Sequence, residues 1–572
     1  MINFDKFYES NYPNLDFIID NKNRSELETF LKRLHFKLIK INGINLYINK
    51  LSSPIERRSI IFSGISYTNN SLLVGPLQLT NPIFEDTGEF YSIEICQKNL
   101  IVRNDLFGLS PIYVGNGLVS NRLQLIYLAL KECKQLNINL SYLDTPFLIW
   151  NAFSQQISTN ETIIKGVRKL LQNEFINILE NRIDIEKDPD KDVPFSLSTF
   201  EAYSNYIYKA AHEIVSKLER ILSFAGNPFL ALTGGKDSRV LYAALVSMGR
   251  INDVQIITNK VGRDQEIATG LVKKFGGRFS FPDYHSINYS NFLENLERYF
   301  SHYFFNKINL PDIYLKENIG LSRDLITLVG GYCGEVYYDF YQGIGLSLPN
   351  NKFDINDFLE FINRNQAFLS SERLNLASDL RKTFENLNGE TWSQKLASHY
   401  LNFRNCFHFG SRINLAHQLD LSPLVSRYLF KASRCLPDNI RDSSRIVFDI
   451  TNAFNEEIAH SQYEKYTYDY SKLAYHKRSK YDGLILPLTP DLNLIKENNS
   501  VLPNIATKNL QQQKMEFLKE LLEINKKEGF DLRFYQEAHK QKIEYFIKKK
   551  SQNIDKYITA ILMSLFVRQN IN

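Results

Sequence analysis

Cysteine is scarce in this chain. The 572 residues include 5 Cys, none of them in a C-x-x-C pair, and the 10 His form no cluster. Zinc sites in proteins are built from such pairs and clusters, so we expect no zinc site. Scattered cysteines also favour a reducing compartment.

Long apolar runs are missing as well. No stretch reaches the roughly 18 uncharged apolar residues that a membrane span requires, and residues 1–6 do not resemble a signal peptide. The formal net charge is only +5, and basic residues are interleaved with acidic ones; residues 548–550 are the densest basic run. We therefore expect a cytoplasmic protein whose partners include neither a membrane nor a nucleic acid.

One segment combines an apolar strand, a turn of small residues and a helix. Residues 229–232 predict the strand, residues 233–238 (T-G-G-K-D-S) the turn, and residues 239–248 the helix. Gly234 and Gly235 can take backbone angles that a Cβ would forbid and let the main chain approach a ligand closely. Because free N–H groups at a helix start attract anions, the segment predicts a phosphate-binding turn.

The polar side chains of this turn suit a nucleotide. Thr233 and Ser238 carry hydroxyl donors, and Asp237 carries a carboxylate that could hold Mg²⁺ against phosphate oxygens. ATP is therefore the expected ligand, with Mg²⁺.

Two further strands end in polar or glycine-rich residues. Residues 254–258 precede an acidic helix start at Asp264 and Glu266, and residues 325–329 precede G-G-Y-C-G-E at 330–335. Strands that alternate with helices predict a parallel sheet, whose ligands bind at the carboxyl ends of the strands. The residues expected to contact ATP are Leu232, Thr233, Gly234, Gly235, Lys236, Asp237, Ser238, Ile257 and Gly331.

The T-G-G-K-D-S motif resembles the S-G-G-x-D-S signature of the ATP pyrophosphatases, which cleave ATP to AMP and pyrophosphate. With the downstream segments it resembles the synthetase domain of the asparagine synthetase family, which includes β-lactam synthetases and lasso-peptide cyclases. Residues 421–425, followed by Leu436-Pro437, are similar to the family's R-V-P-F-L-D and its following Leu-Pro, and residues 477–483 resemble its R-P-K-x-G-F segment. The resemblance covers residues 197–489.

The N-terminal part carries a second resemblance. Residues 88–90 and 103–113 resemble the G-x-F and R-D-P-F-G-x-x-P-L-Y segments of the family's glutaminase domain. In that family the nucleophile is a cysteine exposed by removal of the initiator Met. Position 2 here is Ile2 and the first cysteine is Cys96, so glutamine hydrolysis is not expected. A domain kept without its nucleophile most simply serves as a scaffold or as the surface of a homodimer.

The expected fold class is α/β, in three parts. Residues 1–185 would form a degenerate glutaminase domain with the αββα layers of N-terminal nucleophile (Ntn) hydrolases. Residues 197–490 would form a doubly wound parallel-sheet ATP pyrophosphatase domain, and residues 491–572 a C-terminal helical extension. A polar segment with two prolines within residues 181–196 predicts the first boundary. The helix that follows has one buried stripe, formed by Tyr203, Ile207, Ile214, Leu218 and Ile221.

The resemblance implies an ATP-dependent, AMP-forming carbon-nitrogen ligase. A carboxylate of a small molecule, sugar acid or peptide is adenylated with release of pyrophosphate, and an amine then displaces AMP to form an amide. The amine is ammonia or an amino group, on a second molecule or on the same one. Asparagine synthesis from free ammonia and a non-catalytic assembly subunit are the alternatives.

By the same resemblance, Asp237 and Glu335 hold Mg²⁺, and Lys480 is the cation at the reacting acyl phosphate, with Lys477 as its rival. The alignment Gly331-Tyr332-x-x-Glu335 is similar to the G-Y-x-x-D of β-lactam synthetases, whose Tyr helps deprotonate the amine. A shift of one residue would instead put Gly334 at the metal position.

The sequence leaves open the roles of Tyr332, of the acidic pair Asp264 and Glu266, and of Arg239. Tyr332 can relay a proton only to a partner such as a carboxylate, which the sequence does not place, and aromatic residues also pack. Asp264 and Glu266 suit the start of a helix whatever the function. Arg239 either contacts a phosphate or begins the helix.

Overall fold

The structure is a computed structural model that describes most of residues 2–463 and two pieces of the C-terminal region. The described residues are 2–10, 14–49, 59–67, 72–80, 87–140, 142, 156–225, 227–258, 262–280, 292–307, 326–338, 340–341, 352–364, 373–408, 418–463, 515–521, 523 and 554–571. None of the helices in these ranges is both long enough and apolar enough to cross a membrane.

The first 187 residues contain two antiparallel sheets in their described part. The strands are β1 (Phe17–Asp20), β2 (Lys37–Ile41), β3 (Ile44–Ile48), β4 (Ile60–Tyr67), β5 (Leu72–Leu79), β6 (Gly88–Ile95), β7 (Leu100–Asn104), β8 (Tyr113–Gly115), β9 (Leu118–Ser120), β10 (Val167–Lys169), β11 (Glu174–Leu179) and β12 (Arg182–Lys187). The first sheet has the order β10-β8-β9-β1-β3-β2, and the second has the order β12-β11-β7-β6-β4-β5.

The inner faces of these two sheets share one apolar core. Phe17 and Leu46 come from the first sheet, Ile93 and Ile176 come from the second, and all four are fully buried. The ring of Phe17 lies 5.0 Å from the ring of Tyr91, measured between centroids. Because each sheet has an apolar inner face, the two sheets stack as layers.

Helices pack on the antiparallel sheets and make up most of the second half of the described chain. They are α1 (Ser25–Arg33), α2 (Leu123–Glu132), α3 (Phe200–Ala225), α4 (Asp237–Ser247), α5 (Arg263–Phe275), α6 (Phe292–Tyr303), α7 (Ile355–Arg364), α8 (Arg373–Asn386), α9 (Trp392–His399), α10 (Asn405–His408), α11 (Arg427–Arg434), α12 (Asp438–Asp442), α13 (Arg445–Phe454), α14 (Glu456–His460) and α15 (Ile554–Ile571). A π-helical turn, Tyr400–Arg404, joins α9 to α10.

The C-terminal helix α15 packs on the N-terminal part of the chain. Its Phe566 lies 5.4 Å from Phe4, 5.1 Å from Tyr127 and 5.3 Å from Phe304 between ring centroids. The same core includes buried residues of α1, α2 and α6. The predicted C-terminal helical extension is thus helical where it is described, at 515–521 and in α15, and it covers the first sheet rather than the parallel one.

A parallel sheet of five described strands forms the centre of the second part. These are β13 (Phe229–Ala231), β14 (Gln255–Ile257), β15 (Arg278–Phe279), β16 (Ile326–Val329) and β17 (Gln418–Leu421), in the order β15-β14-β13-β16-β17. Every neighbouring pair is parallel. The chain moves outward from β13 to one edge and then returns to β16 on its other side. Ligands of open parallel sheets bind at such a reversal of strand order, beside the carboxyl ends of the strands.

The helix α3 has the predicted buried stripe, since its five apolar residues are at most 3% exposed. The predicted boundary, by contrast, is misplaced at its start. The polar residues 182–187 form β12, which pairs with β11 at the edge of the second sheet. Charged side chains are tolerated on an exposed edge strand. The first part therefore continues past residue 185, and Lys191 Nζ still donates to the carbonyl of Asp105, at 3.2 Å.

The second antiparallel sheet and the parallel-sheet part share a continuous apolar core. Ile65, Tyr67 and Leu109 of the former belong to the same buried cluster as the residues around β13 and α4. The ring of Phe107 lies 5.5 Å from Phe430 and 6.2 Å from Tyr337 between centroids. The R-N-D-L-F-G segment thus contributes to the interface between the two parts.

Candidate functional site

The turn between β13 and α4 is folded by its own hydroxyl groups. Leu232 N donates to Ile257 O at 2.9 Å, which holds the ends of two neighbouring strands together. Thr233 N donates to Ser238 Oγ at 3.1 Å, and Gly235 N donates to Thr233 Oγ1 at 3.2 Å. The helix begins at Asp237, two residues before the predicted start. Its first N–H groups have no acceptor within the helix.

Gly234 and Gly235 do not use the left-handed region that glycine permits. Neither residue has a positive φ, because the chain passes from strand to helix without a left-handed residue at either position. A Cβ at Gly235 would lie 3.1 Å from Thr233 Oγ1, which is close but not severe. Two glycines of a neighbouring loop, Gly331 and Gly334, leave much less room for a side chain.

That loop follows β16 and lies directly on the first turn of α4. A Cβ on Gly331 would lie 2.4 Å from Ser238 N, and a Cβ on Gly334 would lie 2.3 Å from Asp237 Oδ1. Neither position can carry a side chain unless the loop moves. The loop also contains Cys333 in the left-handed conformation, with φ of 68°.

This packing brings Asp237 and Glu335 into one buried environment. Asp237 Oδ1 and Glu335 Oε2 are both buried, and the described residues supply neither with a hydrogen-bond partner. Burial raises the pKa of Asp237 to about 6. Burial, aided by the charge of Asp237, raises the pKa of Glu335 well above its usual range. The charge of Lys236 lowers the pKa of both carboxyl groups, but the effect of burial is larger.

The two carboxylates fit a magnesium ion better than a metal held by protein ligands alone. Mg²⁺ is usually held by one or two carboxylates, with phosphate oxygens and waters as the other ligands. Within the described ranges, no group of three or more His, Cys, Asp or Glu residues forms a metal site. Asp237 and Glu335 could thus supply the protein share of such a site.

The side chain of Lys236 lies beside these carboxylates. Its Nζ lies 3.4 Å from the centroid of the Tyr338 ring and donates to Ser444 Oγ. Tyr338 in turn donates its hydroxyl to Asp237 Oδ2 at 3.3 Å. Burial lowers the pKa of Lys236, while the charges of Asp237 and Glu335 act in the opposite direction.

The structure distinguishes the three charged residues whose roles the sequence left open. Asp264 Oδ1 accepts the N–H of Gly234 at 2.8 Å, so it ties the turn to α5. Glu266 is exposed in the first turn of α5. Arg239 is fully buried and donates to the carbonyls of Ser461, at 2.7 Å, and Gln462, at 2.6 Å. Its guanidinium therefore anchors residues 461–462 to α4.

Tyr332 lines a small cavity between the parallel sheet and the second antiparallel sheet. The cavity has a volume of about 20 Å³, enough for one water molecule. Glu89 and Asp420 line it as well, so two carboxylate residues lie in the same cavity wall as Tyr332. Ser422 Oγ donates to the carbonyl of Tyr332, which fixes the loop against the end of β17. Glu89 belongs to the G-E-F segment, which sequence reasoning had not connected with Tyr332.

The predicted site residues of the turn, together with Ile257, Gly331 and Glu335, thus lie around the ends of β13, β14 and β16. Lys480 and its rival Lys477 lie outside the described residues. Sequence reasoning missed the contacts of Tyr338 and Ser444. Tyr338 lies three residues after Glu335, and this closeness in sequence could have indicated that it belongs to the site. Nothing in the sequence around Ser444 connects that residue with the turn.

No protein-family model matches the chain, and no curated protein matches it either. The case for a function therefore depends on the residues of the site and on their geometry.

The loop contact generates a first prediction. Gly331→Ala should lower the free energy of unfolding by about 1–3 kcal/mol, the usual cost of overpacking, because the new methyl group meets the backbone of α4. It should also weaken ATP binding, measured by calorimetry. Gly270→Ala is the matched control: no atom lies within 4 Å of its Cβ position in α5, so stability should stay level or rise by about 0.5–1 kcal/mol. Equal effects of the two changes would contradict the packing described.

The raised pKa of Asp237 generates a second prediction, for protein in a chelator without divalent cations. The pKa rises from 3.8 unfolded to about 6 folded, so the folded state holds this proton more tightly. As pH rises through this window, the wild type should lose up to about 1.4 kcal/mol per pH unit relative to Asp237→Asn. The difference should level off above pH 6 or so. Chemical denaturation from pH 4.5 to 7.5 or so measures it, and parallel curves for the two proteins would contradict the burial of this carboxylate.

Proposed function

We propose that the protein is an ATP-dependent, AMP-forming amide ligase of the asparagine synthetase type. The observation that carries the proposal is the pair Asp237 and Glu335 at the start of α4: one oxygen of each, Asp237 Oδ1 and Glu335 Oε2, is buried without a hydrogen-bond partner among the described residues. This pair lies where the strand order of the parallel sheet reverses. A helix start beside two unsatisfied carboxylates suits a triphosphate bound with a divalent cation.

The described sheets support the folds that we propose for the two main parts of the chain. A parallel sheet in the order β15-β14-β13-β16-β17 suits the doubly wound ATP pyrophosphatase domain that we propose. Two stacked antiparallel sheets, with α1 and α2 on the outer face of the first, suit a degenerate Ntn-hydrolase domain.

The proposed division of labour follows the contacts of the turn. The first N–H groups of α4 and the hydroxyl of Ser238 would bind phosphate oxygens, and Asp264 would keep Gly234 in place. Asp237 and Glu335 would hold Mg²⁺, which neutralises phosphate charge when it is bound. Leu232 and Ile257, at the ends of adjacent strands, would border the nucleotide.

In the first proposed step, an oxygen of the substrate carboxylate attacks the α-phosphorus of ATP. The bond from that phosphorus to the bridging oxygen breaks, and pyrophosphate leaves. In the second step, the amine nitrogen attacks the acyl carbon, the acyl–oxygen bond breaks, and AMP leaves. The amine must lose a proton, so a base is required near the acyl group.

We assign the proton relay to Tyr332, with Glu89 or Asp420 as the final acceptor. All three residues line the cavity that could hold one water molecule, which would bridge a phenol to a carboxylate. A tyrosine has a high reference pKa and needs such an acceptor. Lys480, by resemblance, would stabilise the negative charge of the acyl phosphate.

The amine is proposed to be ammonia, an amino group of a second substrate, or an amino group within the same molecule. Ile2, at the position of the family's nucleophile, is buried in the core beneath α15, and no glutaminase chemistry is assigned to the N-terminal part. That part would act as a scaffold: its Gly88 and Glu89 form one wall of the cavity at Tyr332. The alternative role for that part is the surface of a homodimer.

Carboxylate-dependent pyrophosphate release from ATP and Mg²⁺ is the decisive measurement. A panel of amino acids, uronic acids and peptides with a free C-terminus should contain an acid that stimulates release. Asp237→Ala should reduce that release at least ~100-fold, as expected for loss of a group that stabilises transition-state charge.

The matched control is Asp253→Asn, because Asp253 is an acidic residue that pairs with Arg250 at the surface; its release should equal that of the wild type. Formation of ADP and phosphate in place of AMP and pyrophosphate would contradict the proposal. ATP binding without release for any acid would favour the non-catalytic assembly subunit.

Because the proposed relay acts on the amine, loss of the Tyr332 hydroxyl should slow amide formation but not adenylation. Tyr332→Phe should leave ATP–pyrophosphate exchange within about two-fold of the wild type and slow amide formation roughly 10²–10⁴-fold, the usual contribution of a general base. Tyr67→Phe is the control, since Tyr67 lines the same cavity and its hydroxyl has no hydrogen-bond partner among the described residues. Equal loss in both steps, or in neither, would contradict the relay.

A further inference from the structure

We propose that the Lys236 ammonium is a built-in counter-ion of Asp237 and Glu335, which neutralises part of their charge in metal-free protein and weakens the binding of a divalent cation there. The inference rests on the metal site proposed above and concerns how that site is regulated. It makes Lys236 a positioning residue rather than a catalytic one.

The ring of Tyr338 positions the ammonium of Lys236. Lys236 Nζ lies 3.4 Å from the centroid of the Tyr338 ring, and the hydroxyl of that ring donates to Asp237 Oδ2 at 3.3 Å. The ammonium and the carboxylate thus contact the same side chain. The charges of Asp237 and Glu335 both act on the ammonium, so the cation lies within electrostatic range of both carboxylates.

A second residue, Ser444, holds the Lys236 ammonium by a hydrogen bond. Lys236 Nζ donates to the hydroxyl of Ser444, which lies immediately before α13 and is 4% exposed. Ser444 has φ of 63°, a left-handed conformation that costs a non-glycine residue free energy and persists only where its surroundings impose it. The contact is therefore a constrained part of the fold and not a chance approach of a surface lysine.

The charge balance explains what the lysine does. Two ionised carboxylates with unsatisfied oxygens are costly inside a protein unless a cation is near. When both carboxylates are ionised, one ammonium leaves the group with a single net negative charge, whereas an added divalent ion makes it positive and suited to a triphosphate. The ammonium and the divalent ion repel each other at this range. Lys236 thus stabilises the metal-free site and lowers its affinity for a divalent cation.

The test compares Lys236→Met with Lys217→Met in the full-length protein. Lys217 is a matched control: it is buried, lies 5.2 Å from the centroid of the Tyr67 ring and pairs with Glu213 at 2.6 Å, away from Asp237 and Glu335. Thermal unfolding is followed in chelator and then with increasing Mg²⁺, without nucleotide. Both variants should unfold at a lower temperature in chelator than the wild type.

Only Lys236→Met should change the response to Mg²⁺, reaching half of its stabilisation at a concentration at least ~10-fold lower than the wild type. Lys217→Met should respond as the wild type does. Equal midpoints for wild type and Lys236→Met, or no response in either, would overturn the inference. If Lys236→Met does not fold, Ser444→Ala removes the hydroxyl that holds the ammonium and should shift the midpoint in the same direction.

A double-mutant cycle separates the inference from the proposed function. In chelator, Lys236→Met and Glu335→Gln should be non-additive, because removing one carboxylate relieves the loss of its counter-ion. Additive effects would overturn the counter-ion role even if pyrophosphate release is observed. Coupling without any Mg²⁺ response would overturn the effect of Lys236 on metal binding and place the failure on the proposed metal site, while the charge coupling between Lys236 and Glu335 would stand.

Discussion

The structure of the site depends on one close packing contact. The loop after β16 lies on the first turn of α4 with no space for a side chain at Gly331 or Gly334. That contact encloses Asp237 and Glu335 together, and burial disfavours the ionised form of each. An uncompensated charge is expensive in such surroundings. The arrangement therefore requires a positive partner, which Lys236 supplies in part and which a divalent cation bound with a nucleotide would complete.

The contact exists because of the order of strands in the parallel sheet. β13 and β16 are neighbours, with Leu230 opposite Val329, so the segments that follow them leave the same edge of the sheet side by side. β17 pairs with β16 on its other side, which brings Asp420 and Ser422 to Tyr332. The second antiparallel sheet closes the remaining side with Gly88 and Glu89. The N-terminal part of the chain thus shapes the cavity at Tyr332 and, with it, the proposed reaction site.

Much of the local structure could be predicted from the sequence, because strands, helix starts and buried stripes follow from the spacing of apolar residues. The strand before Thr233, the acidic helix start at Asp264 and the stripe of α3 are examples. The conformational freedom of Gly234 and Gly235 is not used for a left-handed turn, since hydroxyl hydrogen bonds of Thr233 and Ser238 shape that segment. The boundary was misplaced because charged residues can form an edge strand, and neither charge nor proline content reveals its pairing partner.

By itself, the sequence determined the α/β class, the elements that flank the T-G-G-K-D-S turn and the residue types available for phosphate and metal, all of which depend on near neighbours in the chain. The tertiary structure decided which distant residues meet. It brought Tyr338 to Asp237, Ser444 to Lys236, and Glu89 with Asp420 to the cavity of Tyr332. It also explains why glycine suits positions 331 and 334: a Cβ at either one would overlap the first turn of α4. The physical reason is that packing between segments far apart in the chain is set by sheet order and side-chain volume, and neither leaves a local pattern in the sequence.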